Sequence, residues 1–337
     1  MNIKIIIYIL LLFGFLACNK DEVNPVEEDE CEPFDLPETG STTFGKERFE
    51  YKAPHFNPNN SNEFIYHFRD NELNEYHLLK YNLQTQQKTF IVESGKIARQ
   101  PKWGSKGWIA YTHHIGYVDH IYIVKDNGDS LMQFTENTAN FDPAWSASGD
   151  VLYWVHTPVV GGPRYFLKQL MDDEYIDTLL SPLDSHSGSS LYNEISSSNN
   201  LLSLTRINNN PHLAIASLNE EPFTFTSISK IEQQFGFPSP SGLCWSNDGK
   251  YVFVSIRGGG LYKIDVNSLN TVKLMDYCKK RYGAISASSD GQYLIGERID
   301  SYLEKDAEGN ITGTIMERSS IYLIDLQTLE ETKIDLE

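Results

Sequence analysis

The side chains of this sequence best suited to chemistry are few and widely spaced. His113, His114, Asp119 and His120 crowd one short stretch, a donor density that would suit a zinc ion. They sit on two apolar runs that read as a hairpin, however, and adjacent strand residues point to opposite faces. Only one of His113 and His114 can therefore join His120, and the stretch reads as strand rather than metal site. Asp126-Asn127-Gly128-Asp129 lacks the further carboxylates of a calcium loop and reads as a polar turn. No Gly-x-Ser-x-Gly elbow is present, so the serine-hydrolase arrangement is excluded. Gly258-Gly259-Gly260 joins two strand-like runs as a tight turn and cradles no phosphate at a helix start. The sequence thus assigns no catalytic residue, no metal ligand and no cofactor.

What positions these residues is a repeat. Ser241-Gly242-Leu243-Cys244-Trp245 reads as a buried strand, Ser246-Asn247-Asp248-Gly249 as a turn, and Tyr251-Val252-Phe253 as the returning strand. The same Trp-to-Gly spacing recurs at Trp103-Gly104-Ser105-Lys106-Gly107 and at Trp145-Ser146-Ala147-Ser148-Gly149. Looser copies align on Phe56, Ile195 and Ala287, and the six aligned positions are 47, 42, 50, 50 and 42 residues apart. Downstream, Leu78–Asn82, Ile121–Val124, His212–Ile215, Leu261–Asp265 and Ile321–Asp325 read as third strands, each followed by a fourth. A period of this length, with no amphipathic segment suited to a long helix, predicts an all-β, six-bladed β-propeller with four antiparallel strands per blade over residues 46–337.

Where the second strand of each unit ends stand Arg69, His114, His156, Arg206, Arg257 and Arg298. Counted along the repeat they are equivalent to within one residue, and they are expected to crown one rim. Guanidinium forks pair bidentately with carboxylate or sulfate, so the rim is the candidate site for an anionic glycan or peptide. The competing reading is that these residues bridge neighbouring carboxylates as part of the repeat.

The 337-residue chain has a formal net charge of −18. An acidic globule repels phosphate backbones, which argues against a nucleic-acid partner. Lys4 and the apolar run Ile5–Ala17 read as a signal peptide, too short to span a bilayer. The stretch ends in Phe15-Leu16-Ala17-Cys18, which resembles a bacterial lipobox with Cys18 as the lipidated residue. Residues 18–45, rich in Asp, Glu and Pro, read as an acidic tether. These features predict a lipid anchor at the outer membrane, on its cell-surface or periplasmic side. An oxidising compartment permits a Cys244–Cys278 bridge, although no spacing demands it.

Gln133-Phe134-Thr135 followed by Pro143-Ala144-Trp145-Ser146 resembles the repeat of TolB-like six-bladed propellers, as does Trp245-Ser246-Asn247-Asp248-Gly249-Lys250. The resemblance covers about residues 46–337 and implies the fold, without the α/β domain that precedes it in TolB. TolB's partner contacts do not carry over with the fold; a flat disc with many loops and a central tunnel suits a monomeric binding or scaffold protein that holds an envelope protein or an extracellular glycan. The alternative is a propeller-fold polysaccharide lyase, with His114, His156 and Arg206 as its first candidates.

Overall fold

The computed structural model describes residues 43–93, 98–115, 118–136, 139–157, 165–171, 176–178, 194–207, 210–219, 226–228, 240–256, 259–278 and 280–337. Within them the regular structure is β, arranged as six sheets. Sheets 1 to 5 have four consecutive antiparallel strands each, and sheet 6 has five. The first strands are Phe49–Asn57, Ala98–Trp103, Ala139–Trp145, Glu194–Ile195, Pro240–Trp245 and Lys280–Ala287. Each first strand touches that of the next sheet, and the sixth touches the first, so the contacts run in a closed cycle. Sheet 3 also has a third strand, Tyr165–Leu170, that the sequence reading does not identify.

The repeat explains itself locally. In four sheets the Ser after the Trp position caps the turn: Ser146, Ser196, Ser246 and Ser288 Oγ accept from the backbone N–H groups of Val151, Asn200, Tyr251 and Tyr293. Gly249 closes its turn at φ 68°, where a side chain is disfavoured. The irregular fourth copy meets the same demand with Asn199 at φ 56°, the residue type that tolerates this region best after glycine. Trp145 and Trp245 are buried, and their indole N–H groups reach the preceding sheet's first strand at Lys102 O (3.0 Å) and Glu194 O (3.3 Å). Trp245 packs with Leu202 and Leu213 of sheet 4, Trp145 with Ile121 and Ile123 of sheet 2, and Trp103 with Ile65 and Leu78 of sheet 1. The three tryptophans are thus wedges between neighbouring sheets.

A β-bulge interrupts the first strand at the same place in four sheets. Ala53-Pro54, Gln100-Pro101, Asp142-Pro143 and Gly283-Ala284 each set two residues against one on the second strand. Ala53, Gln100 and Asp142 take positive φ of 47°, 50° and 54°. Bulging costs the ladder a partner, and the freed N–H turns to the sheet before it: Ala53 N donates to Glu297 Oε2 at 3.3 Å and Asp142 N to Thr112 Oγ1 at 3.2 Å.

Sheet 6 outgrows the others. Its second and third strands, Tyr293–Lys305 and Ile311–Asp325, continue as a long hairpin, and Thr43–Lys46 pairs in parallel with Thr314–Glu317. Among the described residues a strand thus precedes residue 46, the start expected from the repeat, because the extended hairpin offers an edge for a further strand. Glu47 Oε1 then accepts from Tyr302 OH (2.8 Å) and Arg318 Nε (2.9 Å), tying the entry of sheet 1 to sheet 6. Cys244 is a free, buried thiol, so the permitted Cys244–Cys278 bridge does not form. The expected signal peptide, the expected lipidation residue Cys18 and the expected tether up to residue 42 lie outside the described residues.

Candidate functional site

The residue just before the Trp position is equivalent in every sheet: His55, Lys102, Ala144, Glu194, Cys244 and Ser286, paired with Ile65, Ala110, Tyr153, Leu202, Phe253 and Ile295. All six line one central cavity of about 280 Å³, which opens among the turns between first and second strands. This ring went unread in the sequence, which placed the site at the far end of the second strands. The signal was present, one position upstream of each Trp equivalent.

The ring is chemically paired off. The Lys102 ammonium makes an ion pair and hydrogen bond with Glu194 Oε1, bridging from sheet 2 to sheet 4 past the small Ala144. Burial pushes the Glu194 carboxyl above its usual range, opposed by the Lys102 charge. His55 is pushed down to about 3 by burial and by Lys102. Its Nδ1 lies 3.0 Å from Phe56 O and 3.3 Å from Trp103 N. Burial drives the Cys244 thiol well above its ordinary value, and the Glu194 charge adds to the effect. Ser286 Oγ accepts from Phe56 N at 3.1 Å, linking sheet 6 to sheet 1. The cavity thus presents a neutral imidazole, a neutral thiol, a cancelled charge pair and hydroxyls.

The six rim candidates are placed differently from one another. Arg69 lies opposite Glu50, 3.7 Å from its Oε2, with its guanidinium 4.9 Å from the Tyr76 ring centre. His114 Nδ1 is 2.8 Å from Asp119 Oδ1, and His156 Nδ1 is 2.9 Å from Asn140 Oδ1. Arg298 Nε donates to Asp300 at 2.8 Å while its guanidinium stacks 4.3 Å from the Tyr322 ring centre. Arg206 lies on its sheet's second strand opposite Pro211, and Arg257 is outside the described residues. Counted from the pair that flanks each bulge (Lys52 with His67, Arg99 with Thr112, Phe141 with Val155, Tyr282 with Arg298), Arg69 and His114 lie two residues beyond, His156 one, and Arg298 none. The spread exceeds the one-residue equivalence expected, because strand lengths on either side of the bulge differ. Strand alternation then turns Arg69 toward sheet 2 and Arg298 toward sheet 5, and of these four only His114 and His156 share a gap, between sheets 2 and 3. Among the described residues no group of three or more His, Cys, Asp or Glu side chains is arranged to hold a metal ion.

No protein-family model and no curated protein matches this chain. Solved structures are similar to it. The β-propeller domain of the Trilobed protease from Pyrococcus furiosus matches with TM-score 0.51 at 11% identity, covering 85% of this chain and 84% of that one. An oligogalacturonate lyase from Vibrio parahaemolyticus matches with TM-score 0.51 at 11% identity, covering 90% and 80%. TolB from Acinetobacter baumannii gives TM-score 0.49 at 15% identity over 77% of this chain and 65% of TolB. The fold is of the propeller type. At such identities the likeness concerns the fold alone.

Proposed function

We propose that this chain is a six-bladed propeller of the cell envelope, lipidated at Cys18 and held at the outer membrane, that binds a protein or glycan ligand without transforming it. The six sheets and the closed cycle of their first strands support six blades. The observation that carries the binding reading is the state of the ring. A histidine with a pKa of about 3 is a poor base near neutrality, a thiol raised by burial is a poor nucleophile, and the Lys102 ammonium is engaged by Glu194. Groups held in these forms offer hydrogen bonds and shape rather than proton or electron-pair transfer.

The test uses the full chain against fractionated envelope extract and a glycan array, beside His55→Phe, which fills part of the cavity. Specific capture by the wild type, lost in the variant, is the expected result. The lyase alternative predicts a conjugated double bond in the product of a uronate polymer; its appearance in the ultraviolet, abolished by His114→Ala or His156→Ala, would overturn the binding reading.

A further inference from the structure

We infer that a second site, for a group bearing both a carboxylate and a hydroxyl, lies in the gap between sheets 1 and 2 at the opposite end of the first strand from the ring, and is built from Glu50, Lys52, His67 and Arg69. The inference rests on the reading of this chain as a binding protein and adds to it a place and a ligand chemistry.

Glu50 pairs directly with Arg69, and Lys52 with His67, so the four side chains share one face of sheet 1. That face is the one whose Ile65 packs against sheet 2. Three buried polar atoms there have no hydrogen-bond partner: Glu50 Oε2, His67 Nε2 and Arg69 Nε. Buried polar atoms are nearly always partnered, so three together mark a place where something else completes the set. Glu50 and His67 are 3% and 6% exposed. The Lys52 and Arg69 side chains keep 26% and 31% of their surface and border the approach from solvent.

Charge and geometry define what fits. Glu50 Oε1 already takes Lys52 at 2.7 Å and Lys46 at 3.2 Å, and Arg69 stands 3.7 Å from Oε2. Three cations therefore surround Glu50, the buried Glu297 carboxyl of sheet 6 is a second acid within reach of Lys52 and Glu50, and Arg99 of sheet 2 adds a fourth positive charge acting on His67. In a protein of net charge −18 this is a local reversal that an incoming anion would neutralise. A bare anion leaves Glu50 Oε2 without a donor, since a carboxylate only accepts. A neutral diol leaves the excess positive charge standing. A hydroxy-carboxylate supplies both, with its oxygens for Arg69 and Lys52 and its hydroxyl proton for Glu50 Oε2. Tyr76 provides a flat wall, stacked 5.5 Å from the His67 ring and lying under the Arg69 guanidinium.

This chemistry has two sources, a uronate unit of an acidic glycan or a free small hydroxy acid. The full chain is titrated calorimetrically with a glucuronate-containing oligosaccharide and with malate, using acetate and glucose as probes that carry only one of the two functions. Binding of either hydroxy-carboxylate at least about ten-fold tighter than both single-function probes is expected, with about ten-fold loss in Arg69→Gln and in Lys52→Gln. The tighter of the two hydroxy-carboxylates names the source. Lys52 is partly exposed, so its variant reads out binding even if Arg69→Gln fails to fold. Equal binding of acetate or glucose, or no loss in either variant, overturns the inference. Loss in His55→Phe with Arg69→Gln unaffected would move the ligand to the central cavity, overturning this site while leaving the binding reading standing.

Discussion

Lys102 and Glu194, ninety-two residues apart in sequence, form an ion pair across the central cavity with both side chains largely buried. Neither residue belongs to a strand pair of the other's sheet; only the closed cycle of first strands brings them together. The pair cancels charge where solvent is scarce, and its energetics follow from that.

Removing one partner leaves the other charge buried and uncompensated, so Lys102→Met should destabilise the fold by about 3 kcal/mol. The double variant Lys102→Met/Glu194→Met should recover most of that loss. Glu194 already has a raised pKa, so the folded form gains protons relative to the unfolded chain as pH falls toward its ordinary value of 4.5. The single variant should therefore regain stability on acidification over that range. Urea unfolding at several pH values checks both; a single variant as stable as the wild type at neutral pH would contradict the account.

Trp245→Ala removes a wedge between sheets 4 and 5 together with the bond to Glu194 O, and should cost about 3–5 kcal/mol. Melting temperature reports the cost. Iodide should quench native Trp245 poorly, in keeping with its burial.

His55 and His67 both have pKa values of about 3 in the folded chain, through burial first and cationic neighbours second. The unfolded chain binds protons on these residues near 6.5 and the folded chain does not, so their contribution is complete above 6.5 and is lost as pH falls toward 3. Each costs up to about 1.4 kcal/mol per pH unit across that window. Glu194 and Glu297, raised by burial, act in the opposite sense. The informative quantity is therefore the difference between wild type and His55→Gln, whose acid sensitivity should be the smaller; parallel pH profiles would argue against the burial of His55.

Cys18→Ala should release the protein from membranes, since each buried methylene of the lipid contributes about 0.8 kcal/mol and several acyl chains make release negligible. Fractionation after a high-salt wash reads this out directly. A variant that remains membrane-bound would show that Cys18 is not the anchor.

Much of the architecture was legible along the chain. The Trp-to-Gly spacing located the turns between first and second strands, and in four sheets the Ser after the Trp position proved to be the cap of its turn. Even the irregular copy around Ile195 was readable, because Asn199 can hold the left-handed backbone that Gly249 holds elsewhere. These features depend on residues a few positions apart, and local sterics and hydrogen bonds are fixed by local sequence.

The site was less legible. Arg69, His114, His156 and Arg298 look equivalent when counted along the second strands, yet they fall at different distances from the bulge and face different gaps. A one-residue offset along a strand turns a side chain to the other face, and the first-strand bulges at Ala53-Pro54, Gln100-Pro101 and Asp142-Pro143, from which those offsets are counted, declare themselves only through pairing with the second strand. The sequence alone determined the period, the turns and the strand content, which are short-range properties. Tertiary structure alone decided that His55, Lys102, Glu194 and Cys244 share a cavity and that Glu50, His67 and Arg69 share a gap, because both depend on how sheets far apart in the chain are brought face to face.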